Sequence, residues 1–133
     1  MKVQVLVVDD EPDVEALSRQ QFRREVREGP YTLDFAFSAL TASAILDDAG
    51  GENINLLVSD INMPGMSGLD LLPIVKTRRP DLPVFMMSAY GDAVTVTTAL
   101  ARGAAELLIK PMDFPKLIRN IMAVNADAMR RDA

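Results

Sequence analysis

Five apolar runs alternate with helix-like stretches, and this alternation constrains the fold more than any other feature of the chain. Three of the runs are continuous and rich in apolar residues, as buried strands are, and one alternates in polarity. The runs are VQVLVV (3–8), YTLDFAF (31–37), INLLVS (54–59), LPVFMMS (82–88) and AELLI (105–109). Such alternation predicts parallel strands with helices on both faces of the sheet. We therefore expect one α/β domain.

The predicted helices have recognisable ends. The first begins near Pro12, which suits a first helical turn, and stops at Gly29-Pro30. Its approximate apolar stripe consists of Val14, Leu17, Phe22 and Val26. In the third helical stretch, Pro73 either lies in the first turn of a late-starting helix or bends the helix. The final helix begins near Asp113 and includes a helical tail at about 124–133, where a linker can start.

Composition excludes several classes of chemistry. The 133 residues contain no Cys and no His, so disulfides, thiolate nucleophiles, phosphohistidine and the usual general base are excluded. The net charge of −5 argues against direct nucleic-acid binding. No apolar run approaches the roughly 20 residues of a membrane-spanning helix. We therefore predict a cytoplasmic protein, and one domain over residues 1–133.

Carboxylates, a hydroxyl and an ammonium group follow the predicted strands. Function collects at the carboxyl ends of parallel strands, so these groups should converge. They are Asp9 and Asp10 after the first strand, Asp60 after the third, Ser88 after the fourth and Lys110 after the fifth. Each has an ordinary structural explanation by itself, such as a helix cap or a surface lysine. Together, the acids would repel by roughly 1–4 kcal/mol per close pair, and hard carboxylate oxygens suit Mg²⁺. The set predicts phosphoryl transfer.

The chain resembles the receiver domain of response regulators, the phosphoacceptor module of two-component signalling. Four motifs in order carry the resemblance: LVVDDEP (6–12), SDINMPGMSGLDLL (59–72), MMSAYGD (86–92) and GAAELLIKP (103–111). The resemblance covers essentially the whole chain. It implies a flavodoxin-like fold with strand order 2-1-3-4-5, in which a histidine kinase or a phosphotransfer protein supplies the phosphoryl group.

The resemblance also implies a role for each site residue. Asp60 is the implied phosphoacceptor, and Ser88 and Lys110 are implied to bind phosphoryl oxygens. Asp10 is implied to bind Mg²⁺ directly, Asp9 through water, and Asn62 through its backbone carbonyl. Lys110–Pro111 is implied to be a cis peptide bond. The protein would catalyse only its own phosphorylation and dephosphorylation.

Two positions are expected to modulate the switch. Tyr90 is bulky and flanks the path of water to Asp60, so we expect it to prolong the life of the phosphoryl group. Leu107 stands where receiver domains usually carry Tyr or Phe, which removes the ring that reports phosphorylation in many relatives. We expect the helix at 92–102 to shift instead. The face made by that helix, the fifth strand and the final helix would bind an effector or a second copy.

Two alternatives remain open from the sequence. A receiver-like module could signal without phosphorylation, although it would not need the full set Asp10, Asp60, Ser88 and Lys110. An enzyme of flavodoxin-like fold is the other. It is disfavoured because no Gly-rich phosphate loop follows Val8, and because an Asp-x-Asp phosphatase requires a second acid where this chain has Asn62.

Overall fold

Five parallel strands form one sheet in the order β2-β1-β3-β4-β5. The computed structural model describes residues 3–29, 31–48, 51–89, 91–110 and 113–132. The strands are β1 (Val3–Val8), β2 (Tyr31–Ala36), β3 (Ile54–Asp60), β4 (Val84–Ser88) and β5 (Glu106–Ile109). Every pairing between neighbouring strands is parallel. The predicted flavodoxin-like strand order is therefore confirmed.

Six α-helices in the described part of the chain cover the sheet. They are α1 (Pro12–Gln21), α2 (Arg23–Glu28), α3 (Ala39–Asp47), α4 (Gly68–Arg78), α5 (Ala93–Ala101) and α6 (Phe114–Asp132), and a short 3₁₀ turn spans Gly51–Asn53. Among the described residues, no helix combines the length and the apolar composition needed to cross a lipid bilayer.

Alternating side chains of the strands fill two separate cores. In β1, Leu6 and Val8 face the core that α3, α4 and α5 cover, whereas Val5 and Val7 face the core beneath α1 and α6. This alternation follows from the two-residue period of a strand. Because β1, β3 and β4 are buried on both faces, their runs are almost continuously apolar. The carboxyl ends of these strands are therefore held firmly in place.

The predicted first helix is in fact two helices. Phe22 leaves the helical conformation (φ −94°, ψ 4°) and separates α1 from α2. Its ring is buried and meets Phe114 edge to face, with centroids 6.2 Å apart. Leu17 and Val26 are 45% and 42% exposed, so the single apolar stripe was wrong. The reason is spacing: residues five apart lie about 140° apart on one helix, so Leu17 and Phe22 do not share a face.

Pro73 lies inside α4 (Gly68–Arg78), so the alternative that places it in the first turn of a late-starting helix is wrong. A proline has no N–H, so the carbonyl four residues earlier lacks its usual intrahelical donor. That carbonyl belongs to Leu69, and Arg102 donates to it from the end of α5 through Nη1 at 2.7 Å. The same nitrogen lies 3.6 Å from the Asp70 carboxylate. A side chain from α5 thus satisfies a backbone acceptor in α4.

We predict that Arg102 and Pro73 are energetically coupled. Arg102→Ala should lower the free energy of unfolding by about 1 kcal/mol, because it removes the donor to the Leu69 carbonyl. In a Pro73→Ala background the helix supplies that donor itself, and the cost should fall below about 0.5 kcal/mol. Urea denaturation of the four proteins measures this coupling.

The control for this cycle is Arg78, which lies in α4 together with Pro73. Arg78 pairs with Ser43 and Asp47 of α3 and does not involve the Leu69 carbonyl. The cost of Arg78→Ala should therefore be the same in both backgrounds. An equal cost of Arg102→Ala with either residue at position 73 would contradict the coupling.

Candidate functional site

Three carboxylates meet where β1 and β3 end. One carboxylate oxygen from each of Asp9, Asp10 and Asp60 lies within 4.8 Å of the others. Asp9 and Asp60 are each only 3% exposed, and Asp10 is partly exposed. The structure thus brings together the acids that the sequence placed at neighbouring strand ends. The donor set contains only carboxylates, which fits a hard divalent cation such as Mg²⁺.

Hydrogen bonds to neighbouring strands hold the main chain at each strand end. These bonds are made by main-chain atoms alone, so they fix the backbone of the site independently of its side-chain contacts. The bonds run from the Asp9 N–H to the Ala36 carbonyl (3.1 Å), from the Ile61 N–H to the Met87 carbonyl (2.9 Å) and from the Lys110 N–H to the Ser88 carbonyl (2.8 Å).

Lys110 joins the two buried carboxylates. Its Nζ lies 3.2 Å from Oδ2 of Asp60 and 3.3 Å from Oδ2 of Asp9. Its side chain is 24% exposed, so the ammonium group is reached from one side by solvent. The resemblance to receiver domains implied a contact between Lys110 and the phosphoryl group. The contact with Asp9 is additional, and it means that one cation serves two anions.

The pKa values of the pair reflect this shortage of positive charge. Burial raises the pKa of Asp60 above its usual 3.8, and the negative charge of Asp9 raises it further. Lys110 opposes both effects but does not reverse them. Burial alone would lower the pKa of Lys110, but its contacts with Asp60 and Asp9 outweigh burial and raise it. The lysine therefore stays charged, while the Asp60 carboxylate is held at a cost.

The loop after β3 approaches Asp60 closely. The Asn62 N–H donates to Oδ1 of Asp60 at 3.3 Å. Gly65 adopts a positive φ of 77°, which only glycine adopts readily. Gly68 is needed for a different reason, because a Cβ there would lie 2.2 Å from the Asp60 carbonyl oxygen. The tight turn of this loop thus depends on conformation at Gly65 and on space at Gly68.

Of the remaining predicted residues, Ser88 and Leu107 lie in the described part of the chain, and Tyr90 and Pro111 do not. Ser88 ends β4 and is buried, with its carbonyl bound by the Lys110 N–H. Leu107 is partly buried and packs against the core beneath α3, α4 and α5. Tyr90 and the Lys110–Pro111 peptide bond lie outside the described residues, so the expectations about shielding and about a cis bond stay predictions.

One residue at the site was missed from the sequence. Ser59 is fully buried, and its hydroxyl donates to the Asp60 carbonyl at 3.0 Å. The available signal was a polar residue at the end of the apolar run INLLVS, immediately before the key aspartate. A buried hydroxyl needs a hydrogen-bond partner, so a serine at the end of a buried strand indicates a contact with nearby backbone or side chains.

Comparison with known proteins identifies the family. The family model of the response regulator receiver domain matches residues 5–122. The chain belongs to this family, the receiver domains of two-component systems, which characteristically carry a phosphorylated aspartate and bind Mg²⁺.

Curated relatives agree. The response regulator protein PilR of Pseudomonas aeruginosa is 37% identical over 84% of this chain and 24% of its own length. The DNA-binding transcriptional regulator NtrC of Rhizobium meliloti is 34% identical over 96% of this chain and 25% of its own length. The chain therefore spans about a quarter of the length of these relatives.

A solved structure shares the fold. It is the CheX–CheY–BeF₃–Mg²⁺ complex of Borrelia burgdorferi, which superposes with a TM-score of 0.81 and 28% identity. The alignment covers 92% of this chain and 88% of that one.

We predict that Asp60→Asn stabilises the Mg²⁺-free protein at neutral pH. Because the folded state raises the pKa of Asp60 above 3.8, folding binds a proton there more tightly than the unfolded chain does. The associated stability is complete below pH 3.8 and is lost as the pH rises through the folded-state pKa. The advantage of Asn should therefore be present at pH 7 and should shrink on acidification. Melting temperatures between pH 4 and pH 7 measure it.

Asp34→Asn provides the control, because Asp34 is an exposed acid on β2. It should change the melting temperature little across the same range. A Mg²⁺-free Asp60→Asn protein that is less stable than wild type at pH 7 would show that the pair with Lys110 outweighs burial.

Proposed function

We propose that this chain is a phosphorylation-driven switch whose phosphoacceptor is Asp60. The observation that carries the proposal is the shared lysine: Lys110 contacts both Asp60 and Asp9, and the three acids lie within 4.8 Å. An ammonium group beside a carboxylate that could accept a phosphoryl group, together with an all-carboxylate cation site, is suited to stabilising phosphoryl-transfer charge. Membership of the receiver family supports the same assignment.

The proposed reaction is a displacement at phosphorus. A carboxylate oxygen of Asp60 attacks the phosphorus atom of a phosphohistidine on a kinase or phosphotransfer protein. The new phosphorus–oxygen bond forms as the phosphorus–nitrogen bond breaks, and the electron pair passes to the imidazole nitrogen, which takes up a proton. Water later attacks the acyl phosphate, which releases inorganic phosphate and restores the carboxylate. The chain catalyses only these two steps on itself.

The residues around Asp60 have separate proposed roles. Lys110 neutralises the oxygens of the transferred group, and the Ser88 hydroxyl binds one of them. The Asn62 N–H already donates to Oδ1 of Asp60 and holds the carboxylate in one orientation. Buried surroundings strengthen these electrostatic contacts, because little water screens them.

The acidic cluster fits Mg²⁺. Asp10 and Asp60 would hold the ion directly, Asp9 through water, and Asn62 through its backbone carbonyl. When bound, the ion lowers the repulsion between the carboxylates and the incoming phosphoryl oxygens. Receiver domains bind Mg²⁺ at such an acidic pocket, and the related CheY complex contains the ion together with BeF₃.

We predict one phosphoryl addition when the protein is incubated with acetyl phosphate and Mg²⁺. Intact-mass measurement should show it in wild type and in the exposed-acid control Asp34→Asn. Asp60→Asn should abolish it because the attacking oxygen is gone. Asp10→Ala, or omission of Mg²⁺, should slow it by about 100-fold or more, because the carboxylates then repel the donor.

Two results would count against this assignment. A phosphoryl group that remains on Asp60→Asn would place the acceptor elsewhere. A wild-type protein that never gains mass, although folded and supplied with Mg²⁺, would favour a module that signals without phosphorylation.

The proposed output surface is the face formed by α5, β5 and α6. Large apolar side chains are exposed on all three elements: Val94 (74%), Leu100 (50%), Ile109 (48%) and Met122 (51%). We propose that these side chains form a patch of the kind that is typical of protein-binding surfaces. We propose that it binds an effector domain, an effector protein or a second copy. The longer relatives support an attached effector, with residues 1–133 as the receiver unit.

Helix α5 is the element most easily moved on this face. It buries only Ala99 among its described residues, and its Val and Thr content gives it weak helical propensity. A phosphoryl group adds close to two negative charges beside Lys110 and Ser88. Leu107 has no ring that could reorient on phosphorylation. We therefore propose that the main chain of the β4–α5 loop and of α5 shifts together.

Hydrogen exchange tests this output. With Mg²⁺ and beryllofluoride, a phosphoryl mimic, protection should change at residues 88–102 because these residues follow Ser88 toward the new charge. The same addition to Asp60→Asn should change nothing. Changes confined to residues 60–69, or found mainly in α1, would show that the output face lies elsewhere.

A further inference from the structure

Ser59 is a polar residue in β3, a strand that is buried on both faces of the sheet. It precedes Asp60 in β3 and has no exposed surface, like its neighbours Leu57 and Val58. Its Oγ donates to the carbonyl oxygen of Asp60 at 3.0 Å. Burying a hydroxyl is unfavourable unless it is hydrogen bonded. The bond therefore keeps the hydroxyl and the Asp60 carbonyl together.

The other side of this carbonyl is closed by the start of α4. A Cβ at Gly68 would lie 2.2 Å from the Asp60 oxygen and 2.7 Å from the end of the Met86 side chain. The Gly68 N–H donates to the Ile61 carbonyl at 2.9 Å, which holds α4 against this segment. The carbonyl thus has a hydroxyl on one side and tightly packed backbone on the other.

The peptide unit between Asp60 and Ile61 is consequently held at both ends. Its carbonyl accepts from Ser59, and its N–H donates to the Met87 carbonyl of β4 at 2.9 Å. A peptide unit is planar, so these two bonds fix its orientation. The Cα of Asp60 belongs to that plane, so the two bonds restrict the backbone from which the Asp60 side chain reaches Lys110.

We propose that Ser59 is a positioning residue for phosphoryl transfer to Asp60. The proposal rests on the function assigned above. Ser59 donates to the main-chain carbonyl of Asp60 and not to its carboxylate, so it acts through the peptide plane to which the Cα of Asp60 belongs. Losing the hydroxyl frees the carbonyl to tilt, and displacements well below 1 Å are enough to slow a displacement that needs alignment.

The test compares Ser59→Ala with Ser59→Thr, which keeps the hydroxyl, and with Ser18→Ala. Ser18 is a similarly buried serine that lies in α1 and not in a strand that carries a site residue. Phosphorylation of each full chain by acetyl phosphate is followed by intact mass at saturating Mg²⁺, and rates are normalised to the folded fraction. Ser59→Ala should lower the maximal rate of phosphorylation about tenfold, while the acetyl phosphate concentration that gives half of the maximal rate should change less than about twofold. Ser59→Thr should restore most of the maximal rate. Ser18→Ala should stay within about twofold of wild type.

A second measurement separates positioning from loss of stability. In the beryllofluoride and Mg²⁺ adduct, ¹⁹F NMR reports the surroundings of the three fluorine atoms. Ser59→Ala should shift these resonances, while Ser18→Ala should leave them in place even if it lowers the melting temperature. This readout stands even if the larger Ser59→Thr side chain does not fold.

The outcomes are distinct. Wild-type rate and wild-type fluorine resonances in Ser59→Ala overturn the positioning role and leave Asp60 as phosphoacceptor. Equal slowing in Ser59→Ala and Ser18→Ala also overturns it, because the effect is then general. A wild-type chain that takes no phosphoryl group overturns the function itself and the positioning role with it.

Discussion

Two buried carboxylates that share one lysine are the interaction on which the rest of this structure depends. Asp9 and Asp60 lie almost out of reach of water, and Lys110 contacts both at 3.2–3.3 Å. Buried charges are costly unless paired, and one ammonium group cannot fully compensate two anions. Burial, and after it the negative charge of Asp9, raise the pKa of Asp60, and Lys110 does not reverse this. The site is therefore suited to bind a further positive charge. Keeping the Asp60 carboxylate charged without that additional cation lowers the stability of the folded protein.

The sheet allows the imbalance to persist. Backbone hydrogen bonds between neighbouring strands hold Asp9, Ile61 and Lys110, and the strands that carry them are buried on both faces. The carboxylates consequently cannot relax by moving apart. Helix α5 is packed far less tightly, with Ala99 as its buried residue. A new charge at the strand ends thus meets a rigid sheet on one side and a weakly held helix on the other.

Residue patterns predicted the strands, most of the helices and the convergence of the acids, because the end of a buried strand is marked by a change from apolar to polar residues. The strand order followed from the resemblance to receiver domains. The break at Phe22 was not predicted. The residues on both sides of Phe22 have a helical pattern, and the packing of Phe22 against Phe114 depends on the position of α6, which lies far away in the sequence.

Contacts that depend on how elements cross were also beyond the sequence. Arg102 reaches the Leu69 carbonyl across 33 residues, and the space that excludes a Cβ at Gly68 exists only once α4 packs against Asp60. Ser59 gave one signal, a hydroxyl in an apolar run, but its partner depends on the backbone geometry of the last residue of the strand.

The Pro73–Arg102 contact has a consequence for exchanging segments between receiver domains. Pro73 in α4 leaves the Leu69 carbonyl without a backbone donor, and the Arg102 side chain at the end of α5 donates to it instead. The need for an arginine at position 102 therefore depends on the residue at position 73. A chimera that imports α5 from a relative lacking this arginine would leave the acceptor unfilled, unless residue 73 is exchanged as well. The two helices are thus best transplanted together, as one module.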